Sequence, residues 1–247
     1  MLKIIRNRFE QGCRTTQYPQ EPITLNQRFR GLPVINDACE PATVRQCAAV
    51  CPQDAILCEE KKIDLGKCTF CGRCENVAEG AFVTFSQDFA MGTATREALL
   101  CDGSLPALAE HSKKHFKKLF GRSLQLRQVS AGGCNACEAD TNVLNTPFFD
   151  LSRFGIDFVA SPRHADGIHV TGPVSKNMKT ALLTTYEAVP APKVVIASGA
   201  CAISGGPFYG SPEIVGDLGV LVPVDLYIPG CPPHPLTTLH ALLNFFK

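Results

Sequence analysis

Polar and apolar positions change their rhythm twice along the 247-residue chain. From residue 124 onward, short apolar runs alternate with longer stretches of helical spacing. The runs LQLRQV (124–129), IDFVA (156–160), GIHVT (167–171), KVVIAS (193–198) and VDLYI (224–228) read as strands, and helices are predicted over about 137–147, 174–188 and 234–246. Strands alternating with helices predict a parallel sheet covered on both faces, and the expected fold class is an α/β, flavodoxin-like, doubly wound sheet. Residues 39–84 are short of apolar runs, and 1–38 carry little periodicity beyond one short helix in an extended arm. In the intervening stretch, Leu105, Leu108, His111 or Ser112, His115 or Phe116, and Leu119 fall near helical spacing. Lys113, Lys114, Lys117 and Lys118 lie opposite, as on a solvated linker helix or one resting on a membrane surface or an acidic partner. This gives an N-terminal arm (1–38), a small Cys-dense domain (39–92), a linker with a basic helix (93–122) and an α/β domain (123–247).

Composition sharpens this picture at one residue type. There are 13 Cys, an odd number, and the start MLKIIRNRFEQGCR lacks the apolar core of a secretory signal. No apolar run approaches the roughly 18 residues a membrane span needs. A cytoplasmic chain is expected, in which clustered thiols mean metal or catalysis rather than disulfides. The net charge of +1 argues against a nucleic-acid partner. The 19% charged and 45% hydrophobic content suits a chain covered by other subunits.

The cysteines fall into two constellations. The small domain holds an imperfect repeat, CAAVCPQDAI from Cys47 and CTFCGRCENVAEGAF from Cys68. In the two-cluster ferredoxin pattern C-x2-C-x2-C-x3-C-P, the fourth Cys of one copy ligates the other copy's cluster. By that rule Cys51, of the Cys51-Pro52 pair, joins Cys68, Cys71 and Cys74 in one complete [4Fe-4S] site. The opposite site is broken, with Ala78 at its fourth position and Val44 at another, leaving Cys39 and Cys47. Cys13, Cys58 and Cys101 lack motif spacing, so one cluster and a vestigial second site are expected here. A zinc site would show two separated C-x2-C pairs instead. In the α/β domain, Cys134 and Cys137 (GGCNACE), Cys201 (SGACAISGG) and Cys231 (IPGCPP) each lie just past a predicted strand. Loops at the carboxyl ends of such strands converge on one crevice, so the four thiols should meet there and hold zinc or an iron–sulfur cluster.

These motifs carry two resemblances. The small domain resembles bacterial-type ferredoxins, and FVTFSQDFAMGTATREALL is similar to the tail of the ferredoxin-like subunits of formate hydrogenlyase and complex I. Over roughly 115–247, GGCNACE…SPRHAD…TGPV…GACAISGG…DLYIPGCPP resembles the small subunit of group 4 membrane-bound [NiFe]-hydrogenases and the 20 kDa (B) subunit of complex I. The resemblance implies that Cys134, Cys137, Cys201 and Cys231 bind a proximal [4Fe-4S] cluster beside the active site of a large [NiFe]-hydrogenase-type partner. Two residues between Cys134 and Cys137 match the hydrogenase type, since the complex I type has adjacent Cys there. Glu138 would lie near the partner interface as a proton relay, or be a helix N-terminal carboxylate favoured by the dipole. Arg163 and His164 would bond cluster sulfurs or the partner, or form an exposed basic turn. His234 reads as a helix-start residue.

The expected protein is thus an electron-transfer subunit with two [4Fe-4S] clusters and no catalytic centre of its own. It would sit peripherally on the cytoplasmic face of the inner membrane through partner subunits, with a formate dehydrogenase or another ferredoxin as candidate donor. The alternatives are a B-subunit-like component of a complex I-type oxidoreductase and, of another class, a zinc-stabilised non-redox assembly protein.

Overall fold

The computed structural model describes residues 2–104 and 123–246, so the basic helix expected over 105–119 lies outside the described residues. The first helix, α1 (Leu2–Gln11), has no buried residue. Next come β1 (Pro33–Ile35), α2 (Pro41–Ala49), β2 (Ile56–Leu57), β3 (Lys62–Asp64), α3 (Arg73–Val77), β4 (Val83–Phe85) and β5 (Leu100–Cys101). These short strands make two small antiparallel sheets, β1–β4 and β2–β3–β5. None reaches four residues, too few for an alternating pattern to be legible in the sequence.

The second half is one five-stranded parallel sheet. Its strands are β6 (Leu124–Ser130), β7 (Ile156–Phe158), β8 (Gly167–Thr171), β9 (Val194–Ser198) and β10 (Leu226–Ile228), in the order β10-β9-β8-β6-β7. Read from β7, that is the flavodoxin-like order 2-1-3-4-5. Every residue of β8 and β9 is buried, as central strands covered on both faces require. The crossover elements include α4 (Ala136–Val143), α5 (Lys176–Ala188), α6 (Ala200–Ser204) and α7 (Pro235–Phe246). The expected strands and three of these helices are present within a few residues of their predicted bounds. The five-residue α6 was not legible, being shorter than two helical turns.

The two halves share a core. One cluster of buried side chains runs from Val44, Leu65 and Leu99 of the first half to Val170, Ile203 and Val222 of the second. Two backbone hydrogen bonds pair Thr93 with Tyr227 on β10. Ser204 Oγ donates to the Gly66 carbonyl at 2.8 Å. No described helix is long and apolar enough to cross a membrane.

Candidate metal centre

The sheet delivers four cysteines to its carboxyl edge. Cys134 follows β6, which lies between β7 and β8 where the strand order reverses, and Cys137 opens α4 just beyond it. Cys201 lies in α6, directly after β9, and Cys231 lies three residues beyond β10. Two backbone bonds lock the last two loops together, from Gly199 N–H to Ile228 O and from Ala200 N–H to Gly230 O, both 2.8 Å. The Cys137 thiol is pushed up by burial first and then by the charges that Cys201, Glu138, Cys231 and Cys134 would carry. Burial and three of the same neighbours push Cys201 to about 12. Thiols in such a setting stay protonated unless a cationic centre replaces their protons. The backbone leaves room for such a centre: a Cβ on Gly199 (φ +88°) would stand 2.8 Å from Cys137 Sγ.

The first half assembles the second set. Cys68, Cys71 and Cys74 come from the loop and first turn before and within α3, and Cys51 from the end of α2. Burial raises Cys68 to about 12 and Cys74 to about 11, and each also feels the charges of Cys51 and Cys71. Cys51 Sγ accepts from Ala55 N–H at 3.4 Å, and Cys68 Sγ from Phe70 N–H at 3.3 Å, the kind of amide contact that stabilises sulfur-borne charge. So the structure brings Cys51 to the second repeat's triplet.

Each set offers four thiols, a donor set that suits an iron–sulfur cluster.

The remaining expected residues divide. Glu138 is buried, and its Oε1 accepts from Ser130 Oγ at 2.6 Å and Thr171 Oγ1 at 2.7 Å. Burial alone would raise its pKa, but the two hydroxyls outweigh that and hold it below the ordinary value. Arg163 and His164 are exposed on a 3-10 turn after β7. His234 Nδ1 accepts from Leu236 N–H at 3.1 Å, capping the start of α7. Two features escaped the sequence. One is a pocket of about 260 Å³ lined by Thr69 and Phe70, between Cys68 and Cys71, and by Cys231, His234, Phe29 and Arg28. The other is His169, fully buried in β8 beside Phe158.

Comparison with known proteins bears on the second half alone. The family model described as NADH ubiquinone oxidoreductase, 20 kDa subunit, matches residues 134–245. A probable membrane-bound hydrogenase subunit of Pyrococcus furiosus is 44% identical over 126 residues, which are 51% of this chain and 75% of that protein. Formate hydrogenlyase subunit 7 of Escherichia coli is 44% identical over 52% of this chain and 51% of its own length. An NADH-quinone oxidoreductase subunit of a Roseiflexus species is 44% identical over 52% of this chain and 48% of its own. The four cysteines of the parallel sheet, Cys134 to Cys231, all lie inside the matched segment, and this chain belongs to the family of the 20 kDa subunit of NADH:ubiquinone oxidoreductase.

Proposed function

We propose that the chain is an electron-transfer subunit of a membrane-associated oxidoreductase, of the hydrogenase type found in formate hydrogenlyase. It would be fused to an N-terminal ferredoxin-like module in the domain order read from the sequence. Cys134, Cys137, Cys201 and Cys231 would hold a proximal [4Fe-4S] cluster, and Cys51, Cys68, Cys71 and Cys74 a second. When bound, such clusters supply one-electron redox chemistry. The catalytic centre belongs to a large partner subunit on this reading, and attachment to the membrane runs through partners. The observation that carries the reading is the pocket in which the Cys68–Cys71 loop faces Cys231, because two redox groups in series must be neighbours.

The chain's own residues keep those two loops in register. The Ser204–Gly66 bond ties the helix of Cys201 to the turn that precedes Cys68. The Thr93–Tyr227 pairing holds the strand that leads to Cys231. Phe70 and His234 line the space between the loops. Glu138, next to Cys137, is a buried carboxylate at this edge, held by the Ser130 and Thr171 hydroxyls.

The hydrogenase and complex I relatives are equally identical to this chain, so identity does not separate them. The two-residue gap between Cys134 and Cys137 favours the hydrogenase type.

Iron and acid-labile sulfide per chain, with EPR after dithionite reduction, test the reading on anaerobically purified protein. The two clusters should account for about eight iron and give two interacting signals. Cys51→Ala should abolish one signal and Cys231→Ala the other. Colourless protein carrying zinc would overturn the reading, and about four iron would break the relay.

A further inference from the structure

Five cysteines lie outside both four-thiol sets, and the structure separates them. Cys13 is exposed just past α1. Cys101, on β5, is satisfied locally: Sγ accepts from Gly103 N–H at 3.3 Å and donates to Ser104 O at 3.6 Å. Cys39, Cys47 and Cys58 lie around the broken half of the repeat, where Cys47 Sγ donates to the Cys74 carbonyl at 3.5 Å and Cys39 Sγ to the Glu40 carbonyl at 3.8 Å. Cys47 precedes Cys51 by the same spacing that separates Cys74 from Ala78, so it is the counterpart of Cys74, third thiol of the complete set. It is fully buried on α2. That helix packs against β2, and Cys58 is the residue immediately after β2. Lys61, in the turn that follows, reaches back with Nζ to the carbonyls of Cys39, at 2.9 Å, and Asp37. This pins the hairpin carrying Cys58 to the loop carrying Cys39. Cys39 and Cys47 are buried in the core that the two halves share, and Cys58 is half-buried against it. Burial first, then the charges of Cys39 and Cys58, push the Cys47 thiol above its ordinary value, so both neighbours are within electrostatic reach.

A buried free cysteine can be mere apolar filler. Val44 and Ala78, at the positions where the pattern calls for ligands, are fillers of that kind, both buried. Filling a core does not require a third thiol on a half-buried hairpin, nor a lysine holding the first in place. We propose that Cys39, Cys47 and Cys58 form a third metal site that takes a [3Fe-4S] cluster, one thiolate to each iron. Of the four positions the pattern calls for, only Cys47 carries a thiol; Cys39 and Cys58 supply two of the three ligands missing at Pro41, Val44 and Ala78, and the absence of a fourth thiol sets the cluster at three irons. The site does not depend on the relay proposed above.

Iron analysis and EPR of the oxidised full-length protein test it. Oxidised [4Fe-4S] clusters are diamagnetic in their ordinary resting state, whereas an oxidised [3Fe-4S] cluster gives a signal before any reductant is added. About eleven iron per chain, eight plus three, and that signal are expected. Cys58→Ser, on the half-buried hairpin, should remove about three iron and the oxidised-state signal while leaving both dithionite-reduced signals. Cys47→Ser should do the same, and where that core variant fails to fold Cys58→Ser alone decides. About seven iron with the oxidised-state signal retained would support this site while one four-thiol set fails. About eight iron, unchanged in Cys58→Ser, would overturn the proposal and leave the relay standing, and so would one zinc per chain lost in Cys58→Ser.

Discussion

His169 lies within β8, fully buried, and neither ring nitrogen has a hydrogen-bond partner among the described residues. Burial lowers its pKa to about 4, against the opposing pull of the Glu138 charge. The unfolded chain takes up a proton near pH 6.5, but the folded chain does not until about pH 4. Stability is therefore lost as pH falls from about 6.5 toward 4, by about 2 kcal/mol at pH 5. His169→Leu removes this linkage together with two unsatisfied polar atoms. Its melting temperature should exceed the parent's by roughly 4–8 °C at pH 5, with a smaller gap at pH 7.5. A gap that does not widen on acidification would remove His169 as the cause. The sequence hid this residue because GIHVT reads as an apolar strand, and one polar letter inside it carries no partner information. The thiols stood out for the opposite reason: they fall at the regular spacings of a ligand pattern, and such spacings survive in one dimension.

Among the elements, the turn from β3 to Cys68 is built around Asp64. Its carboxylate takes Arg96 Nη1 and Nη2 at 2.8 and 2.6 Å and Gly66 N–H at 2.9 Å, and its carbonyl takes Cys68 N–H at 2.9 Å. The Asp64 side chain is 8% exposed and that of Arg96 is 24% exposed. Removing one partner of a buried pair costs about 3–5 kcal/mol, less where water reaches one side. Arg96→Leu should therefore cost roughly 2–3 kcal/mol in chemical denaturation. Adding Asp64→Asn, which keeps an acceptor for Gly66 N–H but removes the stranded charge, should recover part of that loss. A double variant weaker than Arg96→Leu alone would mean that the charge pair is not what fixes this turn. None of this was legible beforehand. Asp64 and Arg96 are 32 residues apart, and nothing in a run such as KKIDLGKC marks its Asp as the acceptor. The parallel strands were legible because burial on both faces writes an unbroken apolar run.

At the scale of the whole molecule, the question is how the two halves hold their redox sites at a fixed separation. The sequence pointed to two cysteine-bearing units but not to their docking, because the contacting residues belong to no motif. Gly92 shows why the docking is close. A Cβ there would lie 2.5 Å from Ala241 Cβ and 3.3 Å from Ala241 Cα, on the fully buried face of α7. The next residue, Thr93, pairs with Tyr227, four residues before Cys231. Gly92→Leu must therefore push this segment off α7 and disturb the pairing that holds the Cys231 loop. Each four-thiol set is closed by its own loops, so the iron content should match the parent's. The magnetic interaction between the two reduced clusters should weaken, since dipolar coupling falls with the cube of separation. Ala241→Gly restores the missing space at about 1 kcal/mol of helix propensity, so the pair Gly92→Leu with Ala241→Gly should regain part of the splitting. If Gly92→Leu leaves both iron content and splitting untouched, the two loops are set by the Ser204–Gly66 contact alone. If it lowers the iron content, the Cys231 loop cannot keep its shape without the first half, and the fusion contributes to folding as well as to transfer.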